Sequence, residues 1–131
     1  MVTTITAMTA PPCWACTCPA PIDQSDYAKH ADVVFTGRLK SVEELGEGKS
    51  FKMRFLLGKV YKGSAKRFTN VFAPDWAGQC GYPNKLGKRY TVFANLDDGK
   101  KYTSNCSGTK QGTINPDNFD LGDPYPPKSD Q

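Results

Sequence analysis

Histidine is nearly missing from this 131-residue chain, with His30 its one representative. The patterns H-E-x-x-H, G-x-S-x-G and the phosphate loop are all absent. Metal-activated water, a serine nucleophile and nucleotide chemistry therefore have little to build on, and no enzyme and no cofactor are expected. Scattered carboxylates such as Asp75 read as turn residues. No stretch approaches 18 consecutive apolar residues, which excludes a membrane-spanning helix. There is no internal repeat. Hydrophobic residues make up 38%, below the roughly 45–50% of ordinary globular chains, but that figure also counts glycine, and 12 Gly close much of the gap. Ten Pro with those glycines are too few for a collagenous or low-complexity chain. The length suits one domain. Its core must be modest, which gives covalent cross-links a reason to exist.

What is present is a positive body. Lys plus Arg number 17 against 13 acidic residues, a net charge of +4. Between Val33 and Lys110 there are 15 basic residues and six acidic, whereas the last fifteen residues hold four Asp and one Lys. Such a body can meet an anionic surface polymer, an acidic protein face or nucleic acid, or can simply keep a small domain in solution. The basic residues are spread through strand-like segments, without the dense run of a nucleic-acid arm. Lys52, Arg54, Lys59 and Lys62 are the candidate anionic-ligand face.

Five cysteines fall in two groups, Cys13, Cys16 and Cys18 near the start and the isolated Cys80 and Cys106. The C-x-x-C-x-C spacing offers thiolates to a zinc ion, but His30 has no partner and the distal cysteines stand 26 positions apart. A redox pair at Cys13 and Cys16 lacks the preceding strand such motifs use. Disulfides between the groups fit better, because alternate residues of an extended segment point to opposite faces and can reach different strands. That implies an oxidising compartment, secreted, extracellular or periplasmic. Cys13 is the odd one. The triplet Cys13-Trp14-Ala15 has the small-x-small form cut by signal peptidase, so residues 1–15 read as part of an export signal or as a leader that stays attached.

Along the chain, residues 24–31 suit one or two helical turns, with Ser25 as cap and Tyr27 and Ala28 facing the core. Residues 33–43 alternate as a strand, with Val33, Phe35, Gly37 and Leu39 inward and a bend at Gly37. Residues 45–49 turn. Residues 50–61 form a second strand, inward at Phe51, Met53, Phe55 and Leu57, with a phase shift at Gly58 that makes Val60 the next inward residue. Further strands are expected at 68–73, 88–94 and 101–105, the last two joined by a hairpin at Asp98-Gly99. Residues 115–131 are an acidic, Pro-rich tail with a helical turn near 117–121. Five strands, two hairpins and no βαβ rhythm predict an all-β fold, a five-stranded OB-type Greek-key barrel spanning 16–114, with a small sandwich as the alternative.

Several of these residues also carry a likeness. Cys16-Thr17-Cys18-Pro19, Ala31-Asp32-Val33-Val34-Phe35-Thr36-Gly37 and Val60-Tyr61-Lys62-Gly63 come first. Cys80-Gly81-Tyr82, Leu86-Gly87, Tyr90-Thr91-Val92-Phe93-Ala94, Asp98-Gly99 and Cys106-Ser107-Gly108-Thr109 follow in order. Together, from Cys16 to about Thr109, the chain resembles the secreted microbial relatives of the tissue inhibitors of metalloproteinases. The resemblance implies the netrin-like form of the OB barrel and disulfides Cys16–Cys80 and Cys18–Cys106. Those links would close loops of about 65 and 89 residues, each worth about 4–5 kcal/mol in the chain-entropy account. It also implies a function. In such inhibitors the α-amino nitrogen and carbonyl oxygen of the first cysteine, here Cys16, bind the catalytic zinc of a metalloprotease. Thr17 would enter the specificity pocket, and Cys18, Pro19, Cys80 and Gly81 would complete the inhibitory ridge. An α-amine loses its proton near neutral pH and can fill the open position of a catalytic zinc. The leader must first be removed to free that amine. The expected partners are thus a zinc metalloprotease or an anionic surface polymer, with no metal of the chain's own, no nucleic acid and no self-association.

Overall fold

The structure, a computed structural model, describes residues 23–46, 50–74, 85–104 and 107–129. The expectations for the leader, for Cys13, Cys16, Thr17, Cys18, Pro19, Cys80, Gly81 and Cys106, and hence for both disulfides, lie outside the described residues.

Helix α1 (Gln24–His30) begins after Asp23, whose extended backbone makes it the N-cap without a side-chain hydrogen bond. Ser25, expected as the cap, is instead inside the first turn, because the helix starts one residue before it. Asp26 in the first turn and Lys29 and His30 in the last match the helix dipole. The strands are β1 (Val33–Leu45), β2 (Ser50–Lys62), β3 (Phe68–Pro74), β4 (Arg89–Asp97), β5 (Lys100–Tyr102) and the two-residue β6 (Lys110–Gln111). A 3-10 turn, Pro116–Phe119, follows, held at its start by the Asn115 side chain accepting from the Asp117 amide.

β1 pairs antiparallel with β2 from Val34 to Leu45 and, over Val33 to Arg38, with β4 on its other edge. β2 pairs with β3, β3 runs parallel to β5, and β5 returns to β4. Five strands therefore close into a ring in the order β1-β2-β3-β5-β4, which leaves no separate sandwich layers. β6 adds to β4 at Tyr90 and Thr91.

Closing so few strands demands sharp bends, and the register shows where they are. Thr36 faces Lys59 while Gly37 faces Leu57, so Gly58 is the extra residue of a bulge. Val60 returns to the interior as the sequence phase implies. Gly37 lies opposite, where an added Cβ would come within 2.9 Å of the Leu56 carbonyl oxygen; only glycine lets the strands approach so closely. The Asp98-Gly99 hairpin has both residues at positive φ, 54° and 80°, the mirror-image turn that suits twisted strands. β4 extends past the expected Ala94 to Asp97, and β5 starts at Lys100, because Asn95 to Asp97 pair with Tyr102 to Lys100.

The interior is filled by Phe35, Leu39, Met53, Phe55, Val71, Tyr90 and Val92 among others, with Phe55 edge-on to both Phe35 and Tyr90. Burying each large apolar side chain contributes about 1.5–3 kcal/mol. A second cluster explains why β1 is buried on both faces from Val33 to Gly37. Outside the ring, Val34, Tyr61 and Phe93 are covered by Ala28 and Ala31 from the α1 region and by Phe119 from the 3-10 turn.

The segment after Asp120 is irregular but tied down. Tyr125 exchanges two backbone hydrogen bonds with Val60, at 2.8 and 2.9 Å. Further on, the Lys128 amide donates to the Ala65 carbonyl and the Arg67 amide donates to the Lys128 carbonyl. The C-terminal strap thus lies along the end of β2 and the link to β3.

Candidate functional site

The outer face of β2, β3 and β5 follows from simple alternation. Met53, Phe55 and Leu57 point inward on β2, as do Thr69, Val71 and Ala73 on β3. That leaves Lys52, Arg54 and Leu56 outward on one strand, and Phe68, Asn70 and Phe72 outward on the next. The register sets them in rows: Lys52 beside Phe72, Arg54 beside Asn70, Leu56 beside Phe68. β5 extends the first row, because Phe72 pairs with Tyr102.

The result is a strip of aromatic rings edged with cations. The Phe72 and Tyr102 rings are 5.7 Å apart, and Tyr102 remains 38% exposed. The Lys100 ammonium lies over Phe72 at 5.5 Å. The Arg54 guanidinium lies 4.8 Å from the Phe68 centroid, and that of Arg67 5.8 Å from the same ring. Cations over ring faces are attracted by the ring quadrupole. Here that attraction fixes Arg54 without neutralising it.

Of the four lysines and arginines singled out from sequence, the structure brings Lys52 and Arg54 together on this strip. Lys52 is in an ion pair with Glu43 of β1 at 3.3 Å. Lys59 is exposed but sits beyond the Gly58 bulge, five residues further along β2 than Arg54. Lys62 is committed elsewhere: its Nζ donates to the Ala28 carbonyl at 2.8 Å and to the Lys29 carbonyl at 3.5 Å, serving the carbonyl end of α1. Sequence reasoning did not reach Phe68, Phe72, Lys100 and Tyr102. Two phenylalanines in a short strand read as core, and only the burial of the smaller Thr69, Val71 and Ala73 turns them outward.

At the end of the strip nearest the C-terminal strap, Phe68 and Asn70 also border a concavity of about 280 Å³. Lys66, Lys101 and Lys128 line it. Partial burial, and after it the nearby Lys66 ammonium, lower the affinity of Lys101 for its proton. A separate depression of about 200 Å³ lies between α1 and the turn after β5, with Asp26, His30, Ser104 and Ser107 in its wall. Ser107 is not poised as a nucleophile. Ser107 Oγ is bonded to the Ser104 carbonyl at 2.7 Å and to the Thr103 hydroxyl at 2.8 Å, in a network that ties the turn to β4. Among the described residues no group of three or more His, Cys, Asp or Glu is placed to hold a metal ion, and no helix is long and apolar enough to cross a membrane. No protein-family model matches the chain, and no curated protein matches it.

Proposed function

We propose that this chain is an OB-type barrel that acts as a binding module for an anionic polysaccharide, laid along the outer face of β2, β3 and β5. The ring order β1-β2-β3-β5-β4, with its parallel β3–β5 seam, supports the OB reading. In that architecture the face of the second and third strands commonly takes oligosaccharides or oligonucleotides. One observation carries the functional reading: the cations Arg54 and Lys100 share a strip with the rings of Phe68, Phe72 and Tyr102. Flat rings pack against the apolar faces of sugars, and fixed cations meet acidic substituents. The salt dependence expected of such binding is steep.

The test is retention of dextran sulfate against neutral dextran, polyglutamate and single-stranded DNA. Arg54→Ala should weaken dextran sulfate binding by roughly tenfold, the scale of one lost well-placed charge contact. Equal binding of neutral dextran would overturn the proposal. Preference for DNA would make the strip a stacking platform for bases instead.

A second reading is inhibition of zinc metalloendopeptidases by Cys16, Thr17 and the rest of the ridge named above, favoured by a ring order compatible with the netrin-like form. It uses a different part of the molecule. A mature chain beginning at Cys16 should then inhibit, and the same chain with one Ala added before Cys16 should not.

A further inference from the structure

Three lysines line one concavity, an arrangement that a folded chain ordinarily avoids. Lys66 and Lys128 are held side by side by a backbone bridge between the link preceding β3 and the C-terminal strap. Paired residues of a ladder project to the same side, and like charges there are destabilising. Lys101 enters from β5 to line the same concavity. Its proton is held less tightly than usual through burial and through Lys66. The ion pairs among the described residues join Lys29 to Asp26 and Lys52 to Glu43, and none involves these three. Among the described residues no carboxylate is thus paired with any of the three lysines.

We propose that Lys66, Lys101 and Lys128 form a subsite for one tetrahedral oxyanion, a sulfate or phosphate ester group of the bound polymer. This deepens the polysaccharide reading and rests on it for the polymer, while the subsite itself can be tested with free ions. Three ammoniums bring up to nine donors, enough to surround a tetrahedral anion without guanidinium geometry. The Thr69 hydroxyl proton goes to the Lys66 carbonyl at 2.7 Å, which fixes the backbone of Lys66 and leaves the ammoniums as the principal donors. The wall also includes Phe68 and Asn70, which belong to the strip, so an ester group in the pocket leaves its chain running along β3. A carboxylate, planar and with two oxygens, offers fewer acceptors to three lysines than a sulfate or phosphate ester with three terminal oxygens.

The experiment is titration of the full chain with sodium sulfate and, separately, sodium phosphate, at ionic strength held constant with sodium chloride. The readout is the ¹³Cε–Hε resonances of the lysines. Lys66, Lys101 and Lys128 should shift together and saturably, with half-saturation in the low millimolar range, about what a few exposed charge contacts provide. The midpoint of the Lys101 proton titration should rise when the anion is bound. Lys101→Met and Lys66→Met should each weaken the ion by roughly tenfold, Lys101→Arg by much less, and Lys40→Met on β1 not at all. Shifts from both sulfate and phosphate no larger than those from chloride would overturn the subsite, whatever the variants do. If dextran sulfate binding then still depends on Arg54, the strip keeps its function without the pocket. Saturable sulfate binding with no retention of dextran sulfate would leave the subsite and remove the polymer reading. Tighter binding of phosphate than of sulfate would assign the subsite to a phosphate ester, and the reverse to a sulfate ester.

Discussion

Lys62 and Lys101 are both partly buried lysines, and the protein treats them in opposite ways. Lys62 has the helix carbonyls of Ala28 and Lys29 as acceptors, so its charge is used. Lys101 has a like-charged neighbour instead, and its proton is bound less tightly than in the unfolded chain. The sign of the consequence follows. Below the lowered folded value both states carry the proton, and the cost of the charged group is borne in full. As pH rises through the interval up to the ordinary lysine value, the unfolded state holds more protons, so folding stability increases. Lys101→Met should therefore melt higher than the parent at neutral pH, by about 2 °C, with the advantage fading above about pH 10. Calorimetry across that range checks it. A variant that melts lower at pH 7 would mean that the ammonium is compensated. Stability and anion binding are thereby set against each other at one side chain, the pattern expected where a site is kept for function.

At the scale of elements, the ring depends on bends that local sequence announces clearly. Gly37 and Gly58 sit in adjacent strands, one making room and the other adding a residue. Gly37→Ala pushes a methyl into the Leu56 carbonyl and should cost about 1–3 kcal/mol. Urea denaturation would measure it as a lower midpoint with unchanged slope. A neutral outcome would mean that the β1–β2 pair can slide apart without loss. These glycines, the inward alternation of β1 and β2, and the Asp98-Gly99 turn were readable from residues 33–99 because each is a local steric or periodic signal. The outward turn of Phe68 and Phe72 was not, since hydrophobicity alone assigns large rings to the core; the small inward residues between them decide otherwise. Lys66, Lys101 and Lys128 lie up to 62 positions apart, and no local rule places them together. Lys62, read as part of an anionic-ligand face, was diverted by a helix whose carbonyl end lies 33 positions upstream. The cysteine expectations concern residues outside the described ones.

For the whole molecule, the strap after Asp120 matters as much as the ring. The 3-10 turn that leads into it packs Phe119 on the cluster outside the ring, and the strap itself pairs with Val60 through Tyr125 and supplies Lys128 to the pocket. A segment that composition marks as an acidic, Pro-rich tail thus contributes both packing and a cation to the neighbourhood of β3. Val34 to Arg38 of β1 have a different importance, having partners on both edges, β2 on one side and β4 on the other. Neither seam can be peeled while the other holds. In deuterated solvent the amides of Val34 to Arg38 should be among the last to exchange, at a rate set by unfolding of the entire ring. That stretch is then the clock of the molecule, whose loss of label times global opening, while the hairpin at Asp98 breathes on its own schedule.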